Sequence, residues 1–211
     1  MPEPVTCPLF APLPRGTAAR LARPAYHQDF SRVFRSGIGF LNKLERGQEF
    51  KERGFPSWEA FAAGRWAEAL RLVEEKRNVY REQFAEADRI GVLQRRVRVM
   101  EFPVTPYVQW ELHVLRLRVE LGDHIRLIDA RTITETERER QVPEVVVLGD
   151  AAMYEVIYDA DGNADGARRY DDPALIATTN AGFDALYERG EAFEAFFERE
   201  IAGLPAPAPR S

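Results

Sequence analysis

Cysteine is almost absent from this chain of 211 residues: Cys7 is the only one, and it lies in a proline-rich segment. A single thiol forms no internal disulfide framework and no CxxC metal site, so the fold must rest on its core, and a reducing cytoplasm is the expected compartment. Lysine is nearly as scarce, with Lys43, Lys51 and Lys76 the only three among 29 basic residues. Histidine is limited to His27, His113 and His124. No apolar run approaches the roughly 18 residues of a membrane-spanning helix, and the N-terminus lacks the basic start and apolar stretch of a secretory signal. Also missing are a glycine-rich phosphate loop, GxSxG, HExxH and the kinase motifs. These absences leave no catalytic residue to name and no cofactor or metal to expect.

What is present fits a globular protein. Hydrophobic residues make up 45% and charged residues 30% of the chain, enough for a substantial core. The net charge of −5 is unevenly spread. Residues 1–100 carry 18 basic and 12 acidic side chains, and residues 101–211 carry 11 and 22. Either two halves of one globule attract each other, or a basic face meets an anionic partner.

Proline punctuates residues 1–25 at Pro2, Pro4, Pro8, Pro12, Pro14 and Pro24, which reads as an extended or disordered arm. Its Leu9, Phe10, Leu13 and Leu21 are free to pack on the body or on a partner. Residues 26–55 read as an N-terminal helical extension, with one helix near 28–36 and a second near 39–47, where Phe40, Leu41 and Leu44 recur at helical spacing. Ser57 is a plausible N-cap after Pro56, and 58–89 reads as a long helix with Trp66, Leu70, Val73, Tyr80, Phe84 and Ala87 in one stripe and a possible break at Gly64.

From Val92 to Phe102 the text alternates, Val97 and Val99 against Arg96 and Arg98, as in a half-buried strand. Thr105 and Pro106 open a helix reaching about Leu115, with strand-like alternation beyond it. Strands follow at 124–128, 142–148, 153–158 and 166–170, with a polar, helix-prone stretch at 130–141. Pro173 opens a closing helical region, with Gly190 as its candidate point of division. The fold class expected is α+β: a mixed or mostly antiparallel sheet of four to six strands packed by helices. The expected organisation is the arm (1–25), the helical extension (26–55), an α+β core domain (56–202) and a disordered tail (203–211).

Candidate sites are few. Glu111 sits among Tyr107, Trp110 and Leu112. Buried there, it would serve either as an acid or base with a raised pKa, or as the ion-pair partner of Arg96 or Arg98. Glu111, Trp110, Arg98 and Tyr107 are therefore the candidate ligand-binding set. Asp159 to Gly166 (DADGNADG) places carboxylates at calcium-loop spacing, but Ala164 stands where that loop needs glycine and Tyr170 where it needs glutamate, so a hairpin turn is the better reading. His113 and His124 lack a second ligand cluster. Arg95, Arg96 and Arg98 suggest contact with nucleic acid, but no DNA-binding motif accompanies them.

The stretches RRVRVMEFP from Arg95, TPYVQWEL from Thr105, GDHIRLID from Gly122 and VVVLGDAAMYEVIYDADGNADGARRYDDP from Val145 together resemble a domain-of-unknown-function family of high-GC Gram-positive bacteria. The resemblance spans roughly residues 55–200. Members of that family are often encoded beside helix-turn-helix regulators, which implies a regulatory or protein-binding partner. It implies no catalytic residue. The leading expectation is a non-catalytic interaction or regulatory module. The alternatives are a small-molecule-binding protein or enzyme with a pocket near Glu111, and a nucleic-acid-binding protein.

Overall fold

The computed structural model describes residues 9–208, so Cys7 and the end of the tail lie outside it. Eight strands form one open mixed sheet: β1 (Ala19–Leu21), β2 (Phe40–Glu45), β3 (Leu93–Met100), β4 (His124–Asp129), β5 (Val145–Leu148), β6 (Ala152–Tyr158), β7 (Ala164–Tyr170) and β8 (Glu191–Ala192). Their order across the sheet is β1-β7-β6-β5-β2-β3-β4-β8. Among the described residues seven α-helices cover it: α1 (Arg23–Phe34), α2 (Pro56–Ala62), α3 (Trp66–Glu74), α4 (Arg77–Arg89), α5 (Pro106–Glu120), α6 (Pro173–Arg189) and α7 (Phe193–Glu200).

The α+β class is as expected, but four to six strands become eight. The largest correction concerns residues 39–47. They form no helix but β2, which pairs in parallel with β3 and antiparallel with β5 near the middle of the sheet. Leu41 packs on one face and Leu44 on the other, both beneath helices. A strand buried on both faces loses the simple alternation that identifies strands, and Phe40, Leu41 and Leu44 then mimic helical spacing. Only α1 remains of the helical extension.

The long helix of 58–89 is three helices. Gly64, at a φ of 74°, ends the first, and the chain breaks again between Glu74 and Arg77. Ser57 is not a cap. It is buried inside α2, where its hydroxyl donates to the Ala69 carbonyl at 2.8 Å and accepts from Trp110 Nε1 at 2.9 Å. The stretch 130–141 holds only a short 3-10 turn over Ala130–Ile133, and α5 continues past Leu115 to Glu120.

The successive units β2–helices–β3 and β3–α5–β4 make a three-stranded parallel block. After β4 the chain crosses the carboxyl ends of these strands and returns as the antiparallel meander β5–β6–β7. The DADGNADG segment makes the turn between β6 and β7, as expected. Its Asp159 carboxylate accepts from the Asp161 and Asn163 amides at 2.9 and 2.8 Å.

On one sheet face Leu44, Val97, Val99, Val145, Val147 and Met153 pack against α6 and Phe10 in a single apolar cluster. Residues 9–10 lie so close to α6 that a Cβ on Gly182 would stand 2.5 Å from the Leu9 carbonyl oxygen. The other face carries two apolar clusters, one under α1 and one under α2, α3, α5 and α7.

Candidate functional site

A charged seam runs between those two clusters. The charged side chains of β2 and β3 that point to this face are Lys43 and Glu45 with Arg96 and Arg98. The sequence suggests a half-buried strand at β3, but helices roof the polar face, and Arg96 and Arg98 are both buried. Buried charges of this kind persist only when paired. Glu45 takes Lys43 Nζ at 2.5 Å and a guanidinium NH of Arg96. Arg98 Nε donates to Glu111 at 2.9 Å, and its Nη1 to the Val99 carbonyl at 3.1 Å. Arg98 Nη2 is buried without a hydrogen-bond partner among the described residues.

Helix α5 delivers the other candidates. Thr105 accepts from the Val108 amide at 3.2 Å and Pro106 occupies the first helical position, so the helix start is fixed by its cap. That phase places Tyr107 and Glu111 on the seam one turn apart, with the Tyr107 hydroxyl 3.5 Å from the Glu111 carboxylate and 3.3 Å from Glu52. Trp110 packs beside Tyr107 and stacks on Phe61. The fold thus assembles all four residues singled out in the sequence, with Glu111 held by Arg98 rather than Arg96. The histidines stay apart. His113 lies between the Trp66 and Phe197 rings, where burial and then Arg116 lower its pKa, and His124 is exposed at the start of β4. Nor do the arginines of β3 form a basic surface. Arg95 donates to Asn42 at 2.9 Å and pairs with Asp184, while Arg96 and Arg98 are turned inward.

The electrostatics of the seam follow from this packing. Burial would raise the Glu45 carboxyl, but Arg96, Lys43 and Arg98 outweigh it and hold the group well below the usual range. Burial raises Glu111, with Arg98 opposing. Burial and the neighbouring carboxylates also raise the Tyr107 and Tyr158 hydroxyls far above the ordinary tyrosine value.

One member of this cluster is not singled out by the sequence. Glu144, just ahead of β5, has no hydrogen bond or ion pair among the described residues, and burial followed by repulsion from Glu45 pushes its carboxyl up to about 7. It lines a cavity of about 490 Å³ between residues 10–15 and the 140–144 segment, together with Phe10, Arg15, Arg46, Arg140 and Glu155. This cavity opens at the carboxyl end of β2, beside the β5 junction where parallel pairing gives way to antiparallel, a usual place for ligands in open sheets with a parallel core. Arg15 Nε is held by Glu155 at 2.8 Å, and Arg46 by Glu101 at 2.5 Å and Glu137 at 2.8 Å.

Compared with known families, residues 28–198 match the model of DUF6879, a domain of unknown function, and the chain belongs to that family. The match begins well ahead of residue 55, so β2 and the later part of α1 lie within it. No curated protein matches the chain.

Proposed function

For this member of a family without an assigned activity, we propose a non-catalytic binding module that holds a small ionic ligand at the carboxyl end of β2. The observation that carries this reading is the cavity of about 490 Å³ at a strand-end position, lined by Phe10 to Leu13 and Arg15 of the arm with Arg46, Arg140 and Glu144. Perturbed ionisable groups concentrate beside it, as they do at ligand sites. Glu111, Trp110, Arg98 and Tyr107 do not line it; they belong to the seam behind it. They bind β3 to α5 and set the field that Glu144 feels, without touching the ligand. The arm supplies Phe10 and Arg15, so occupancy governs how firmly it lies on the sheet. A protein partner that reads the arm, such as the helix-turn-helix regulator implied by the resemblance, belongs to the same reading.

The test is a thermal-shift screen of charged small molecules on the full chain, in parallel with Ala11→Trp, which puts an indole into the cavity. A ligand that raises the melting temperature of the wild type but not of the folded Ala11→Trp variant is the expected result. Equal shifts in both proteins would remove the site from consideration.

A further inference from the structure

The arm is attached to the domain more as a ligand is than as a core element. It lies outside the family match, which begins at residue 28, and of residues 9–21 only Phe10 is buried. Its seat, in contrast, is built from matched residues. Phe10 enters the apolar cluster of Tyr170, Leu175 and Phe183 between the sheet and α6. Gly182 of α6 makes room for it: a Cβ there would stand 2.8 Å from the Phe10 ring and 2.5 Å from the Leu9 carbonyl oxygen. Arg15 pairs with Glu155, and β1 then adds antiparallel to β7, where a Cβ on Gly166 would stand 2.1 Å from the Leu21 carbonyl oxygen. An aromatic plug, an ion pair and a short added strand are the means by which folded domains take up extended peptides.

Release of the arm orphans no buried charge. Glu155 keeps the Tyr170 hydroxyl at 3.0 Å and Arg168 at 3.4 Å, and the Arg15 side chain is already 66% exposed within its ion pair. We propose that the arm is the tethered occupant of a peptide-docking groove, and that the partner is a protein bearing an extended segment of the same chemistry: an aromatic side chain, an arginine five residues later, and a strand that pairs with β7. The arm competes with this partner from within the chain, so the partner's affinity is lowered by the fraction of molecules whose groove is open. The groove is formed by α6 and β7, whether or not the cavity beside the arm holds a ligand.

A labelled peptide of residues 9–21, followed by fluorescence anisotropy against the full chain, tests this. The wild type should bind it weakly. Phe10→Ala, which removes the plug of the chain's own arm and leaves the groove intact, should bind it at least about tenfold more tightly. Arg15→Glu sets the arm against Glu155 without touching the core; it should tighten binding in the same direction, and it carries the test if Phe10→Ala does not fold. Adding Gly182→Ala to either variant should abolish binding, because the new methyl group blocks the plug while alanine suits the helix better than glycine. The Phe10→Ala peptide should not bind any of these proteins. Binding to both arm variants no tighter than to the wild type would overturn the proposal, as would binding that survives Gly182→Ala. Self-association of the wild type that the peptide reverses would overturn the partner in favour of the arm of a second copy.

Discussion

On the face of the sheet under α6, Leu44, Val97 and Val99 join one uninterrupted apolar cluster; on the opposite face their neighbours in the same two strands are Lys43, Glu45, Arg96 and Arg98. Period-2 alternation of this kind ordinarily marks one dry and one wet face. Here both faces are roofed. The apolar face is held by contact and transfer from water, whereas the charged face holds because Lys43 and Arg96 pair with Glu45 and Arg98 pairs with Glu111, and it divides the packing above it into two separate clusters. The seam therefore costs more to disturb on one side of a pair than to remove altogether, and its surplus charge collects at the strand ends beside the cavity.

That contrast is broken most severely at Arg98. Arg98→Met leaves Glu111 buried without its cation and should cost about 3–5 kcal/mol in urea denaturation. Adding Glu111→Leu should recover most of the loss, because two apolar side chains replace a pair that had to be desolvated. A single substitution costing under about 1 kcal/mol would mean that the seam is wet. On the other face Leu44→Ala should cost about 3 kcal/mol through lost burial and the space left behind, and no second substitution at a charged position should rescue it.

Much of this arrangement can be read in the sequence. The alternation of β3, the Thr105–Pro106 helix start, the Asp161–Gly162 turn and the division at Gly190 are local signals, and each is found where it points. An ion pair between Glu111 and an arginine of β3 is readable too, since a carboxylate flanked by aromatics needs a cation if it is buried. β2 is hidden because its apolar residues serve both faces. Within 58–89 the break at Gly64 is readable from its glycine, whereas the one between Glu74 and Arg77 is hidden because the apolar spacing carries on across it. Glu144 is an unremarked carboxylate ahead of VVVL; its surroundings come from Lys43 and Glu45 about a hundred residues earlier and from the arm, and no short window contains them.

Glu144 also makes the charged face sensitive to pH in a way the apolar face is not. Its folded pKa of about 7 lies above the ordinary 4.5, so the folded protein keeps a proton that the unfolded chain releases. Stability contributed by this group is full below about 4.5 and is lost as the pH rises towards 7. Glu144→Gln should therefore stabilise the protein at about pH 8 by on the order of 2–3 kcal/mol, with the gain vanishing near pH 4.5. Denaturation curves at the two pH values, compared with Leu44→Ala, give the check: the Leu44 loss should not follow the same pH course.

The smallest effect separates the helix that carries the seam from the seam itself. Thr105 caps α5 and also donates to the Gln48 carbonyl at 2.9 Å, tying the start of the helix to the segment after β2. Thr105→Ala should cost about 1 kcal/mol for the cap and about 1 kcal/mol for the second bond. Because Tyr107, Trp110 and Glu111 all follow within the next two turns, the substitution loosens their common support while leaving every charge in place. Added to Arg98→Met, it should fall short of the sum of the two losses if α5 is held in phase chiefly by the Arg98–Glu111 pair. It should be additive if the cap and the pair anchor the helix independently.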